Sequence, residues 1–113
     1  MTPLCRFEEI EDRHAKSFIV EQRGEKISLF VVRRGNRAFA YVNCCPHTGA
    51  PLDWQEDGFL DLFRVDILCS LHGARFVIEN GHCHAGPCKG RGLTALPLEI
   101  IDGLICLIDN LKC

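Results

Sequence analysis

The chain has 113 residues, 47% of them hydrophobic and 25% charged, with a formal net charge of −2. That is enough sequence for one domain with a modest core and too little for a second. No basic excess points to nucleic acid, and no polybasic run points to a membrane surface. The apolar runs are far too short to span a bilayer, and no signal-peptide core follows Glu8 and Glu9, so a cytoplasmic location without a membrane partner is expected.

Taken in chain order, the apolar residues fall in short or alternating runs cut by Gly, Asp, Asn and Pro, an all-β pattern. Strands are expected over 4–7, 17–20 and 27–33. Arg34-Gly35-Asn36 then turns the chain into a strand over 37–43. Residues 66–69 and 74–78 read as short strands around a loop, and Asn80-Gly81 as a turn. A last hairpin joins 96–101 to 104–108 across Asp102-Gly103, with Pro97 at a strand start or a sheet edge. The middle, from Cys44 to about Gly92, is rich in Cys, His, Gly and Pro and poor in alternation. The expectation is a single domain, 1–113, with a loop-built subdomain at about 43–90 inserted between scaffold segments 1–42 and 91–113. Loops on a rigid scaffold are where sites usually lie.

The eight cysteines are many for this length. Without an export signal they suggest metal binding rather than a disulfide framework. Two motifs carry that suggestion: Cys45-Pro46-His47 and Cys69-Ser70-Leu71-His72, separated by positions 48–68. Each is weak alone. Together, each followed by glycine within two residues (Gly49, Gly73), they are specific. A Cys₂His₂ set is acceptable to zinc, although Cys-x-His is tighter than the usual zinc spacing. A zinc-clasped binding module is therefore one alternative.

These motifs resemble the Rieske iron–sulfur family, whose pattern is Cys-x-His, a spacer, then Cys-x-x-His. Pro46, Gly49, Gly73 and Gly86-Pro87 extend the resemblance over roughly 43–90. It implies a Rieske-like antiparallel β-sandwich with a loop-built cluster-binding subdomain. It also implies one [2Fe–2S] cluster, with Cys45 and Cys69 on the inner iron and His47 and His72 on the outer. Neutral imidazoles replace two negative charges, which raises the potential above that of a Cys₄ cluster. High-potential members carry a loop-tying disulfide and two hydroxyls that bond to sulfur. By resemblance those positions are Ala50 and Leu71 for the disulfide, and Ala74 and Phe76 for the hydroxyls. None of the four can serve, which implies the low end of the Rieske range, nearer about −150 mV than +300 mV.

The resemblance thus implies a soluble one-electron carrier rather than an enzyme. Its donor would be a flavin reductase, and its acceptor an oxygenase or other redox enzyme. The small subunit of a larger reductase, similar to that of nitrite reductase, is a second alternative. No Gly-x-Gly-x-x-Gly fingerprint suggests a dinucleotide site. Among the remaining residues, Cys5 and Cys106 read as small core hydrophobes. Cys44 reads as a bystander thiol, Cys83 and Cys88 as packing thiols, and Cys113 as exposed. His14, His82 and His84 read as surface or loop residues, and Lys89 and Arg91 as a solvated turn. Trp54 and Phe59, with Asp53, Glu56, Asp57 and Asp61, read as a surface hairpin in the long spacer or as a docking element.

Overall fold

Leu29-Phe30-Val31-Val32 is apolar at four consecutive positions. In a strand that pattern puts apolar side chains on both faces and calls for a cover on each. A computed structural model, which describes residues 2–22, 24–43, 60, 66–68, 74–86 and 92–108, supplies both covers. All four side chains have zero exposure.

The strands are β1 (Thr2–Arg6), β2 (Ala15–Gln22), β3 (Glu25–Arg34), β4 (Arg37–Val42), β5 (Asp66–Leu68), β6 (Arg75–Val77), β7 (Cys83–Ala85), β8 (Ala95–Leu96), β9 (Leu98–Ile101) and β10 (Leu104–Leu107). They form three antiparallel sheets with strand orders β1-β10-β9, β2-β3-β4-β8 and β5-β6-β7. The four-stranded sheet is the middle layer. On one of its faces Leu29, Val31 and Ala40 pack with Ile105 and Leu107 of β10. On the other, Phe30, Val32 and Tyr41 pack with Ile67, Phe76 and Cys83 of the β5-β6-β7 sheet. Each buried Leu, Ile, Val or Phe contributes roughly 1.5–3 kcal/mol relative to exposure, so both interfaces are substantial.

The antiparallel sandwich agrees with the expected fold class. The local differences have physical causes. Phe7 leaves the strand for a 3₁₀ turn, Phe7–Glu9, and its ring lies under the Arg33 guanidinium at 4.2 Å. The expected strand over 96–101 is two strands, because Pro97 lacks the N–H that a continuous ladder would use. β8 pairs with β4 in the middle layer, whereas β9 pairs with β10 in the outer sheet, so the chain changes sheets at Pro97. The Cys/His/Gly-rich middle contains a small sheet of its own, including β7, which carried no strand signal. From the long spacer, Leu60 bridges Ile67 and packs at the edge of the same core. Among the described residues, no helix is long and apolar enough to cross a membrane.

Candidate metal centre

The four predicted ligands, Cys45, His47, Cys69 and His72, lie outside the described residues. So do Cys44, Pro46, Gly49, Ala50, Leu71, Gly73, Pro87, Cys88, Lys89, Arg91 and Cys113, as do Asp53, Trp54, Glu56, Asp57, Phe59 and Asp61 of the spacer. The structure does describe the strands from which those segments depart and to which they return. β4 ends at Val42, and Asn43 is still held to the scaffold, its N–H donating to Ser28 O at 2.9 Å. β5 ends at Leu68, immediately before Cys69. β6 begins at Arg75, three residues after His72, and Leu68 and Arg75 are register partners. Both halves of the predicted donor set are thus rooted in paired strands.

The β5-β6-β7 sheet is anchored by a cross-strand row. Ile67, Phe76 and Cys83 are partners in the ladder, and all three face the core. Cys83 has a free thiol, 1% exposed, that donates to Ala85 O at 3.2 Å. This agrees with its reading as a packing thiol. Ala74 and Phe76, where the resemblance implied missing hydroxyls, are both fully buried in this core with purely carbon side chains.

The hairpin joining β6 to β7 is fastened to the middle layer from several sides. Tyr41 on β4 donates its hydroxyl to Ile78 O at 2.5 Å. Burial, with the Glu79 carboxylate adding to it, pushes the Tyr41 phenol up to about 12, so the group stays a neutral donor across the physiological range. Gly81 O accepts from Leu93 N at 2.8 Å, and Arg34 Nη1 donates to Glu79 Oε1 at 2.5 Å. Gly81 has φ +71°, and a Cβ built there would lie 2.6 Å from Tyr41 Cε1. Glycine is therefore required both for the turn and for the approach of the ring.

On the outer face of the same sheet, a register shift between Arg75 and Phe76 leaves His84 as the extra residue of a bulge. Its Nε2 lies 3.1 Å from Asp66 Oδ1, while Arg75 Nη1 lies 3.4 Å from Asp66 Oδ2. His84 is thus a surface residue, as expected, though tied to Asp66. His82 is exposed, and His14 is half-exposed between Asp12 O and the Glu11 carboxylate. Cys5 and Cys106 are buried. Burial, with Glu9 adding to it, raises the Cys5 thiol pKa and keeps the group protonated.

The importance of Tyr41 was not apparent from the sequence, although one signal was available. It is the chain's sole tyrosine, and it lies in an apolar strand, where a buried hydroxyl must find an acceptor.

The sequence profile of the Rieske [2Fe-2S] domain matches residues 1–104. The chain is 35% identical over 82 residues to the ferredoxin component of the p-cumate 2,3-dioxygenase system of Pseudomonas putida; the match covers 73% of this chain and 64% of that protein. Among solved structures, the ferredoxin of carbazole 1,9a-dioxygenase from Nocardioides aromaticivorans IC177 superposes with a TM-score of 0.71 at 25% identity, covering 95% of this chain and 97% of that one. The Sphingomonas yanoikuyae B1 ferredoxin superposes with a TM-score of 0.69 at 26% identity, covering 96% and 97%. The layered sheets, whose described strands end at Val42 and Leu68 and resume at Arg75, and these likenesses define the class: the chain belongs to the Rieske [2Fe-2S] domain family. Such a domain holds one [2Fe–2S] cluster.

Proposed function

We propose that this chain is a soluble one-electron carrier of the cytoplasm, forming a single domain whose cluster-binding part spans about 43–90. Cys45 and Cys69 hold the inner iron, and His47 and His72 the outer. The donor is a flavin reductase, and the acceptor is a terminal oxygenase or related redox enzyme. The observation that carries this reading is the pairing of Cys-x-His with Cys-x-x-His in a chain whose flanking strands build the family fold.

The donor set fits the group. Two thiolates stabilise ferric iron, and two neutral imidazoles lower the negative charge of the site. Leu68 and Arg75, paired across β5 and β6, hold the two ends of the second ligand segment together. When bound, the cluster supplies one reversible electron. The described residues support it by fixing the strand ends and by packing the β5-β6-β7 sheet and its entry with carbon at Phe76 and Ala74. The partners follow the relatives, which are components of dioxygenase systems.

The test is electrochemical and kinetic. Protein-film voltammetry should give one reversible one-electron wave near the low end of the Rieske range, about −150 mV. A flavin reductase with reduced nicotinamide should bleach the protein repeatedly, and an oxygenase should restore its colour. A midpoint well above zero would contradict the low-potential assignment. A protein that co-purifies tightly with a larger reductase and does not cycle alone would contradict the carrier role.

A further inference from the structure

Tyr41 stands on β4, four residues before Cys45, and its hydroxyl reaches Ile78 O, six residues beyond His72. β4 runs into the first proposed ligand segment, and β6 follows directly from the second. The Ile78 carbonyl lies just past the end of β6. We propose that the Tyr41–Ile78 hydrogen bond is the strut that sets the position of the two ligand-bearing segments relative to each other, making Tyr41 a positioning residue for the cluster. This rests on the functional reading above.

Three observations favour this role over general stability. First, Tyr41 is itself immobilised. It pairs with Phe30 on β3 and with Ala95 on β8, its ring packs 5.8 Å from that of Phe30, and it is 1% exposed. A hydrogen bond from a fixed ring transmits position, whereas one from a mobile side chain does not. Second, the other fastenings of the 78–81 turn go elsewhere. Arg34–Glu79 links it to the end of β3, and Leu93–Gly81 to the approach to β8. Among the described residues, the hydrogen bond that ties this turn to β4 is the one from the Tyr41 hydroxyl. Third, the resemblance implies that Ala50 and Leu71 take the positions of the disulfide of high-potential members, and neither residue can form a covalent link.

The experiment compares holoprotein of wild type, Tyr41→Phe and Ile105→Val. Ile105 is fully buried in the opposite core, on β10. Ile→Val there and loss of one buried hydrogen bond both cost on the order of 1 kcal/mol. The two variants should therefore unfold at similar denaturant concentrations. Tyr41→Phe should release its cluster about ten-fold faster into chelator, the scale of one lost buried hydrogen bond, with displaced and broadened EPR g-values. Ile105→Val should match wild type in both. Equal cluster-loss rates and identical spectra for the two variants would overturn the proposal and leave Tyr41 as an ordinary core residue. A wild type with no [2Fe–2S] spectrum at all would overturn the functional reading and this inference with it.

Discussion

At Gly81 a single hydrogen atom occupies the place where any other side chain would meet Tyr41. The positive φ and the 2.6 Å approach to Cε1 act in the same direction. Gly81→Ala should therefore destabilise the fold by about 1–3 kcal/mol, seen as a lower midpoint in urea; an unchanged midpoint would mean that turn and ring relax together at no cost. Tyr41 makes a second, pH-dependent contribution. Its phenol ionises near about 12 in the folded chain, against about 10 when unfolded. Between those values the unfolded state binds fewer protons than the folded one, so stability is intact below pH 10 and falls as pH rises towards 12. Denaturation of wild type and Tyr41→Phe over that range should show the steeper decline in wild type. The Asn80-Gly81 turn was legible in the sequence because its chemistry is local. The acceptor of the Tyr41 hydroxyl was not, since it lies 37 residues away along the chain.

Hairpins show the same division at the scale of elements. The turn between β3 and β4 has Gly35 at φ +62°, and its backbone N–H donates to Asp12 Oδ1 at 2.6 Å. That bond, assisted by Arg13 and Arg33, holds the Asp12 carboxyl below its ordinary pKa of 3.8. The contribution of Asp12 is accordingly present above that value and is lost as pH falls through the lower folded one. Asp12→Asn should lower the thermal midpoint slightly at neutral pH and remove part of the acid-induced decline. Identical acid profiles would show that Gly35 does not need the charge. The turns at 34–36, 80–81 and 102–103 were all legible, because Gly, Asn and Asp mark positive φ. β7 was not. Cys83-His84-Ala85 has no alternation of its own and is a strand because β6 offers it an edge. Nor did the sequence distinguish β8 from β9, since Pro97 marks a break without saying which sheet each half joins.

For the whole molecule, the three-layer arrangement predicts how metal loss propagates. The middle layer shares one core with β10 and another with β5-β6-β7, and β5 and β6, which flank the second proposed ligand segment, pack only into the latter. Because metal binding is coupled to local folding, removing the cluster should speed amide hydrogen exchange at Ile67, Phe76 and Val77 by about ten-fold or more, while Val31 and Ile105 remain protected. Uniform loss of protection would mean that the layers unfold as one unit. The resemblance implies that the hydroxyls of high-potential members are missing at Ala74 and Phe76. Ala74→Ser with Phe76→Tyr should raise the midpoint if new hydroxyls reach sulfur, and an unchanged voltammogram would remove hydrogen bonding as the reason for a low potential. The all-β class and the two Cys/His motifs were legible from type and spacing alone, whereas the layering was not, because which sheet covers which face of β3 depends on contacts between distant segments. The claim on which the rest depends is that Cys45, His47, Cys69 and His72 hold a [2Fe–2S] cluster. It is tested most directly by iron and labile-sulfide analysis of anaerobically purified protein, with EPR after reduction, on wild type and His72→Ser. The prediction is two irons, two sulfides and a rhombic spectrum with average g below 2 in wild type, and loss or radical change of that spectrum in the variant. Zinc without sulfide, or a spectrum that His72→Ser leaves untouched, would contradict it.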